Sequence, residues 1–264
     1  MSSRWPSPWG VVRAQVSRAL RPIRDHLRYF RDPLFLALCA HFELTPLQGW
    51  TKARSTKGTN PIDLYFQKLS DFSEEAVTRG WAVDRHRALR NWWTHRDGSF
   101  AWLVRDMDIQ VGHRVLDYGC SISAFGNWAR SALPGIRLSL ADIPSPHFDF
   151  CKSYYRDFAE ELIEIPLGRY PLDGSYDRIL ILDVFEHVVD PLALADHLVA
   201  HLAVGGRLVE TFIYIEDNHK NPSNLESAQA QRDAVFVYLT SKLRLLSGSL
   251  GTSEGPRIWE LPLE

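Results

Sequence analysis

Residues 113–129 read HRVLDYGCSISAFGNWA, and the order of side chains in this stretch decides the fold. Val115 and Leu116 close a short apolar run, and Asp117 stands where a strand should stop. Tyr118-Gly119-Cys120-Ser121 then makes a turn of mostly small residues, and Ala124–Leu133 carries a helical pattern. Strand, tight turn and helix N-terminus together make a place for a polar or charged ligand, because the first N–H groups of a helix have no intrahelical partner. Gly119 permits positive φ or a close backbone approach. A carboxylate at a strand tip accepts hydrogen bonds from an amine or a hydroxyl. On this stretch alone an ordinary βα turn remains open.

Composition narrows the class. The chain has 264 residues, 45% hydrophobic and 23% charged, enough for one large domain or one domain with an appendage. A net charge of −2 provides no global field for nucleic acid or an acidic partner. Cys39, Cys120 and Cys151 lack C-x-x-C spacing, which fits a reducing, cytoplasmic setting better than a disulfide framework or a thiolate metal site. No apolar run approaches the roughly 20 residues of a membrane span. Trp5, Trp9, Trp50, Trp81, Trp92, Trp93 and Trp102 all precede residue 113, so the first part of the chain differs in kind from the rest.

That first part, 1–108, is expected to be helical. Val12, Val16, Leu20, Ile23, Leu27, Phe30 and Leu34 recur at steps of three and four, with Arg13, Arg18, Arg21, Arg24, Arg28 and Arg31 on other faces. This basic amphipathic pattern suits a helix packed on its own domain, one lying on an anionic membrane surface or, less well, a targeting peptide. Helical patterns follow at Leu34–Phe42, Asp63–Leu69, Ser73–Arg79, Asp84–His95 and Ser99–Met107, with Ser73 an expected N-cap. Thr51–Pro61 reads as a loop.

From 109 onward strands alternate with helices. Strands are expected at Arg114–Leu116, Ile136–Ala141, Leu162–Ile165, Tyr176–Leu182 and Arg207–Phe212. Helices are expected at Ala124–Leu133, Phe148–Glu160 and Pro191–Leu202. This alternation implies parallel βαβ units, with the ligand crevice at the strand C-termini. Asp142, 25 residues after Asp117, ends the second strand, where an acid can hold both hydroxyls of a ribose. Gln229–Leu246 reads as a helix and Ile258–Leu263 as a strand.

Residues 117–123 resemble the first motif of class I S-adenosylmethionine-dependent methyltransferases, Asp-x-Gly-x-Gly-x-Gly. Asp117 and Gly119 match, while Ser121 and Ser123 replace the second and third glycines. The segment Asp183-Val184-Phe185-Glu186-His187-Val188-Val189-Asp190-Pro191 is similar to the fourth-strand motif of small-molecule members, including the ubiquinone-pathway O-methyltransferases. Leu202-Ala203-Val204-Gly205-Gly206 resembles the turn these proteins carry before their fifth strand. The resemblance covers roughly Arg114–Thr211. It implies an α/β, Rossmann-like, doubly wound and mostly parallel sheet with an α-helical N-terminal cap. The S-adenosylmethionine-binding domain would span 109–264.

It also implies S-adenosyl-L-methionine as cofactor, bound by Asp117, Tyr118, Gly119, Cys120, Ser121, Asp142, Ile143, Asp183 and Val184. Ile143 would lie against the adenine, and Glu186 and His187 are the catalytic candidates. Trp81, Trp92, Trp93 and His95 are candidates for the substrate pocket. In some ubiquinone-branch relatives the acids and histidine of this motif hold a divalent metal, which here would fall to Asp183, Glu186 and His187; with one carboxylate shortened, no metal site is assigned. The expected partner is a small-molecule methyl acceptor, taking the methyl on oxygen or nitrogen, and not nucleic acid. Peripheral membrane contact through the basic helix stays open. Members such as these usually end in two strands, and the tail shows one convincing candidate unless Ser249–Thr252 hides another. The alternative function is a degenerate member that binds cofactor or a partner without catalysis.

Overall fold

The computed structural model describes residues 29–263 except 55–60, 71, 85, 97, 99, 167, 168, 170, 214–222 and 251–254. The basic amphipathic stretch expected from Val12 therefore lies largely outside the described residues. Among the described residues six helices come first: α1 (Pro33–His41), α2 (Pro46–Arg54), α3 (Pro61–Gln67), α4 (Glu74–Ala82), α5 (Arg87–His95) and α6 (Ala101–Asp106). The alternating part follows as β1 (Arg114–Tyr118), α7 (Ala124–Ala132), β2 (Arg137–Asp142), α8 (Pro146–Tyr154), β3 (Glu161–Glu164) and β4 (Tyr176–Leu182). Then come a 3-10 turn at Phe185–His187, α9 (Pro191–Ala200), β5 (Leu202–Thr211), α10 (Glu226–Lys242), β6 (Arg244–Ser247) and β7 (Arg257–Glu260).

The strands form one sheet in the order β3-β2-β1-β4-β5-β7-β6. β1 pairs parallel with β2 (Val115 opposite Leu138) and with β4 (Leu116 opposite Ile179), and β7 pairs antiparallel with both β5 and β6. The order reverses between β1 and β4, which opens the crevice at their C-terminal tips. The expected doubly wound, mostly parallel sheet is thus the observed one.

Three local expectations change. Thr51–Arg54 belongs to α2 and not to a loop. β5 begins at Leu202, because the chain carries Val204-Gly205-Gly206 as a bulge: Tyr176 faces Leu202, whereas Arg178 faces Arg207. The missing strand is β6, at Arg244–Ser247; the Ser249–Thr252 candidate lies partly outside the described residues. Leu243, Leu245 and Leu246 prolong the apolar pattern of α10, but the backbone turns extended at Leu243 and pairs with β7.

The N-terminal helices straddle the open end of the sheet. Phe35, Leu38, Trp92, Leu103 and Met107 share one core with Val115, Ile122, Phe125 and Phe150. Ile62, Phe66 and Val77 share the core of the opposite face with Leu116, Tyr118, Phe185 and Phe212. Asp32 caps α1 through Phe35 N (2.9 Å), and Ser73 caps α4 through Ala76 N (3.4 Å), as its position before two glutamates predicts. Trp50, Trp92 and Trp93 pack with Tyr29 and Phe35, so Trp92 is core of the helical layer and Trp93 packs half-buried against it. Trp81 and His95 instead face the crevice.

Candidate functional site

A cleft of about 470 Å³ opens at the tips of β1, β2 and β4 beneath α4 and α5. It brings together Asp117, Tyr118, Gly119, Cys120, Ser121, Asp142, Ile143, Asp183, Val184 and His187. Three of these carry positive φ where a glycine would be at ease: Gly119 (+71°), Ser121 (+52°) and Asp183 (+55°), with Ser123 (+46°) just behind. The two serines that replace glycines therefore keep a glycine-like path. Side-chain-bearing residues hold such angles when their surroundings fix them. Ser123 Oγ donates to Asp117 Oδ2 (2.7 Å) and accepts from Gly126 N (3.0 Å), capping α7. Ser121 N donates to Asp142 Oδ2 (2.6 Å), and Ile143 N donates to Oδ1 (2.7 Å).

Burial pushes Asp142 up to about 6, against the pull of those two backbone N–H groups. Burial likewise pushes Asp117 up to about 6, the Ser123 hydroxyl opposing it and Asp142 adding to it. Both are ionised acceptors above neutral pH. Cys120 and Tyr118 line the cleft while almost buried, and burial pushes the Cys120 thiol well above its usual range. Asp183 is exposed in the cleft. Its N–H donates to Thr211 Oγ, whose own hydroxyl donates back to Asp183 Oδ1, each at 2.6 Å.

Glu186 and His187 part company. His187 lines the cleft with its ring centroid 4.5 Å from that of Trp81, and its Nδ1 donates to Ser223 O (2.9 Å). Burial lowers it to about 3, so the ring is neutral throughout the working range and a poor proton acceptor. Glu186 is only 1% exposed and lies outside the cleft, so it cannot touch an acceptor there. Its carboxyl bonds the N–H of Ile213, its carbonyl accepts from Leu225 N (2.9 Å), and Oε2 has no partner among the described residues. Together the two residues hold both flanks of the chain between β5 and α10. Among the described residues no three His, Cys, Asp or Glu converge as metal ligands.

Burial, with Asp183 and Glu210 nearby, raises Glu186 from 4.5 to about 8. A carboxyl raised on folding stabilises fully below its unfolded value and loses that contribution as pH rises through the folded one. Glu186→Gln should therefore raise the melting temperature by several degrees at pH 8.5 and change it little at pH 5. Equal melting curves at pH 8.5 would remove this account of Glu186.

Helix α5 supplies what the motifs do not announce. Arg87, Asn91 and His95 are four apart, share one face and line the cleft, while Ala88, Leu89 and Trp92 are buried. Arg87 stands 4.5 Å over the Trp81 ring and lowers Asp142 and His187 alike. Asn91 Nδ2 donates to Ser121 Oγ (2.8 Å). His95, lowered by burial, feels the opposing charge of Asp183. The i, i+4, i+8 polar stripe beside the buried Ala88, Leu89 and Trp92 is the signal that would have found Arg87 and Asn91.

The profile of the methyltransferase-domain family matches residues 69–234, more than half of the chain. The chain belongs to that family. It is an S-adenosylmethionine-dependent methyltransferase. Among curated proteins, none matches it in sequence. Among solved structures, the methyltransferase is similar in fold to human N-acetylserotonin methyltransferase in complex with SAM. The identity is 15% over 86% of this chain and 70% of that one, at a TM-score of 0.50. It is equally similar to an O-methyltransferase family protein from Burkholderia thailandensis, 12% identical over 95% of this chain and 98% of that one, at a TM-score of 0.50.

Proposed function

We propose that this methyltransferase moves a methyl group to the oxygen or nitrogen of a small molecule bound in the cleft between α4, α5 and the tip of β4. The observation that carries this reading is the cleft itself. A volume of about 470 Å³, at the lower end for ligand pockets, suits a cofactor and a compact acceptor. The residues fit S-adenosylmethionine in chemistry. Asp142 offers carboxylate oxygens to paired ribose hydroxyls, and Ile143 and Ile165 offer apolar surface to a purine. Asp117 with the turn at 119–121 offers an acceptor and backbone groups to an amino acid end. When bound, this cofactor supplies an electrophilic sulfonium methyl.

The chain's own part is then orientation and exclusion of water. Val77, Trp81, Val188 and Val189 make an apolar wall on the acceptor side. Asp183, with Oδ1 held by Thr211, keeps Oδ2 as the acceptor atom for an O–H or N–H proton at the mouth of β4. His187 holds the wall in place beside Trp81 and does not remove the proton. An oxygen acceptor is the finer reading, supported by the Glu186-His187-Val188 and Asp190-Pro191 sequence that resembles the ubiquinone-pathway enzymes.

The test is calorimetric titration of S-adenosylmethionine and S-adenosylhomocysteine into wild type and Asp142→Ala. Loss of two charge-assisted hydrogen bonds costs about 3 kcal/mol, or about 100-fold in affinity. Unchanged affinity in Asp142→Ala would move the ribose elsewhere. Absence of binding at millimolar cofactor would leave a member of the fold without catalysis. Where binding holds, transfer of labelled methyl to hydroxyl- and amine-bearing small aromatics separates the oxygen and nitrogen readings.

A further inference from the structure

Ser121 is gripped at every polar atom. Its N–H donates to Asp142 Oδ2 on β2 (2.6 Å), and its carbonyl accepts the Cys151 thiol of α8 (3.0 Å). Its hydroxyl accepts from Asn91 Nδ2 of α5 (2.8 Å). The first two contacts act on the backbone and would serve any residue, glycine included. The third needs a hydroxyl. Ser121 also holds φ +52°, a conformation that persists for a side-chain-bearing residue only when neighbours over-determine it. Asn91 lies between Arg87 and His95 on the cleft-lining face of α5, next to the buried Trp92.

We infer that Asn91 is a positioning residue for the cofactor turn, and that α5 holds residues 119–123 in shape through the Asn91–Ser121 bond. In this chain the bond replaces the conformational freedom that a second glycine would give. The N-terminal helical layer is thereby part of the cofactor site and not only a cover over it. This inference rests on the cofactor reading above.

The measurement is S-adenosylhomocysteine affinity by calorimetry for wild type, Asn91→Ala, Ser121→Ala and the double variant, each with its melting temperature. Removal of either side of this half-buried hydrogen bond should weaken binding about five- to tenfold. The double variant should be no weaker than either single one, since both delete the same bond. In a Ser121→Gly background Asn91→Ala should have no further effect, because glycine takes the positive φ unaided. Melting temperatures without ligand should stay close to wild type, separating positioning from folding. Ser121→Ala keeps the test usable if Asn91→Ala disturbs the packing of α5. Wild-type affinity in Asn91→Ala, or losses that multiply in the double variant, would overturn the inference. A wild type that binds no S-adenosylhomocysteine would overturn the cofactor reading as well, and so is distinguishable from either.

Discussion

Gly119→Ala will weaken S-adenosylmethionine binding by roughly two orders of magnitude, and Val184→Ala will restore part of it. A Cβ added at Gly119 would stand 2.3 Å from Val184 Cγ2 and 3.3 Å from Cγ1. Valine has no flexible end to swing away, and Val184 follows Asp183, whose own backbone is fixed by Thr211. Overpacking of this kind costs about 1–3 kcal/mol. The φ of +71° at Gly119 adds about 1–2 kcal/mol for a residue with a Cβ. The two contributions separate experimentally. Val184→Ala removes the overlap and leaves the backbone cost, so the double variant should bind about tenfold more weakly than wild type. Calorimetric affinities for the two singles and the double decide the matter. A double variant no better than Gly119→Ala would mean that Val184 is not what excludes the Cβ.

The turn around Gly119 shows which parts of this site are legible in a sequence. Asp117, Gly119 and Asp142 are readable because each is set by local geometry: a strand tip, a tight turn, a second strand tip. Ser121 and Ser123 look like a weakened motif, yet both take left-handed backbone. Their stabilising partners, Asn91 and Asp117, are 30 and 6 residues away in sequence. The stripe Arg87, Asn91, His95 marks a polar face on α5, but nothing in the spacing ties Asn91 to Ser121. Glu186 and His187 show another limit. The motif places them at the tip of β4, but they fall in a 3-10 turn at Phe185–His187, where successive side chains point about a third of a turn apart. Neighbours in sequence therefore face different ways, His187 into the cleft and Glu186 into the core beneath it. β6 is hidden for a simpler reason. It is four residues long, lies at the sheet edge, and continues the leucine spacing of the helix before it.

The sheet's far side carries the largest expected effect on stability. Glu210 and Arg257 are directly opposite on β5 and β7 and are 0% and 1% exposed. Arg257 donates from Nε to Glu210 Oε1 (2.5 Å) and from Nη2 to Oε2 (2.9 Å), and Trp259 Nε1 donates to Oε1 (3.2 Å). The guanidinium also lies 4.6 Å over the Phe236 ring of α10. Glu210→Ala leaves that cation buried without its counter-charge and strips Trp259 of its acceptor. Breaking a buried pair from one side costs about 3–5 kcal/mol, which for a chain of this size lowers the melting temperature by about 10 °C. Removing both charges is different, because well-packed apolar replacements of a buried pair are neutral or stabilising. Glu210→Met with Arg257→Met should therefore melt well above Glu210→Ala, and scanning calorimetry reads the comparison directly. The consequence reaches the cleft through one residue. Glu210 precedes Thr211, which holds Asp183, so β5 joins the buried pair to the acid on the acceptor side. A double-methionine variant that recovers its melting temperature should keep wild-type cofactor affinity. If it melts as low as Glu210→Ala, the pair contributes through its charges and not through the space it fills.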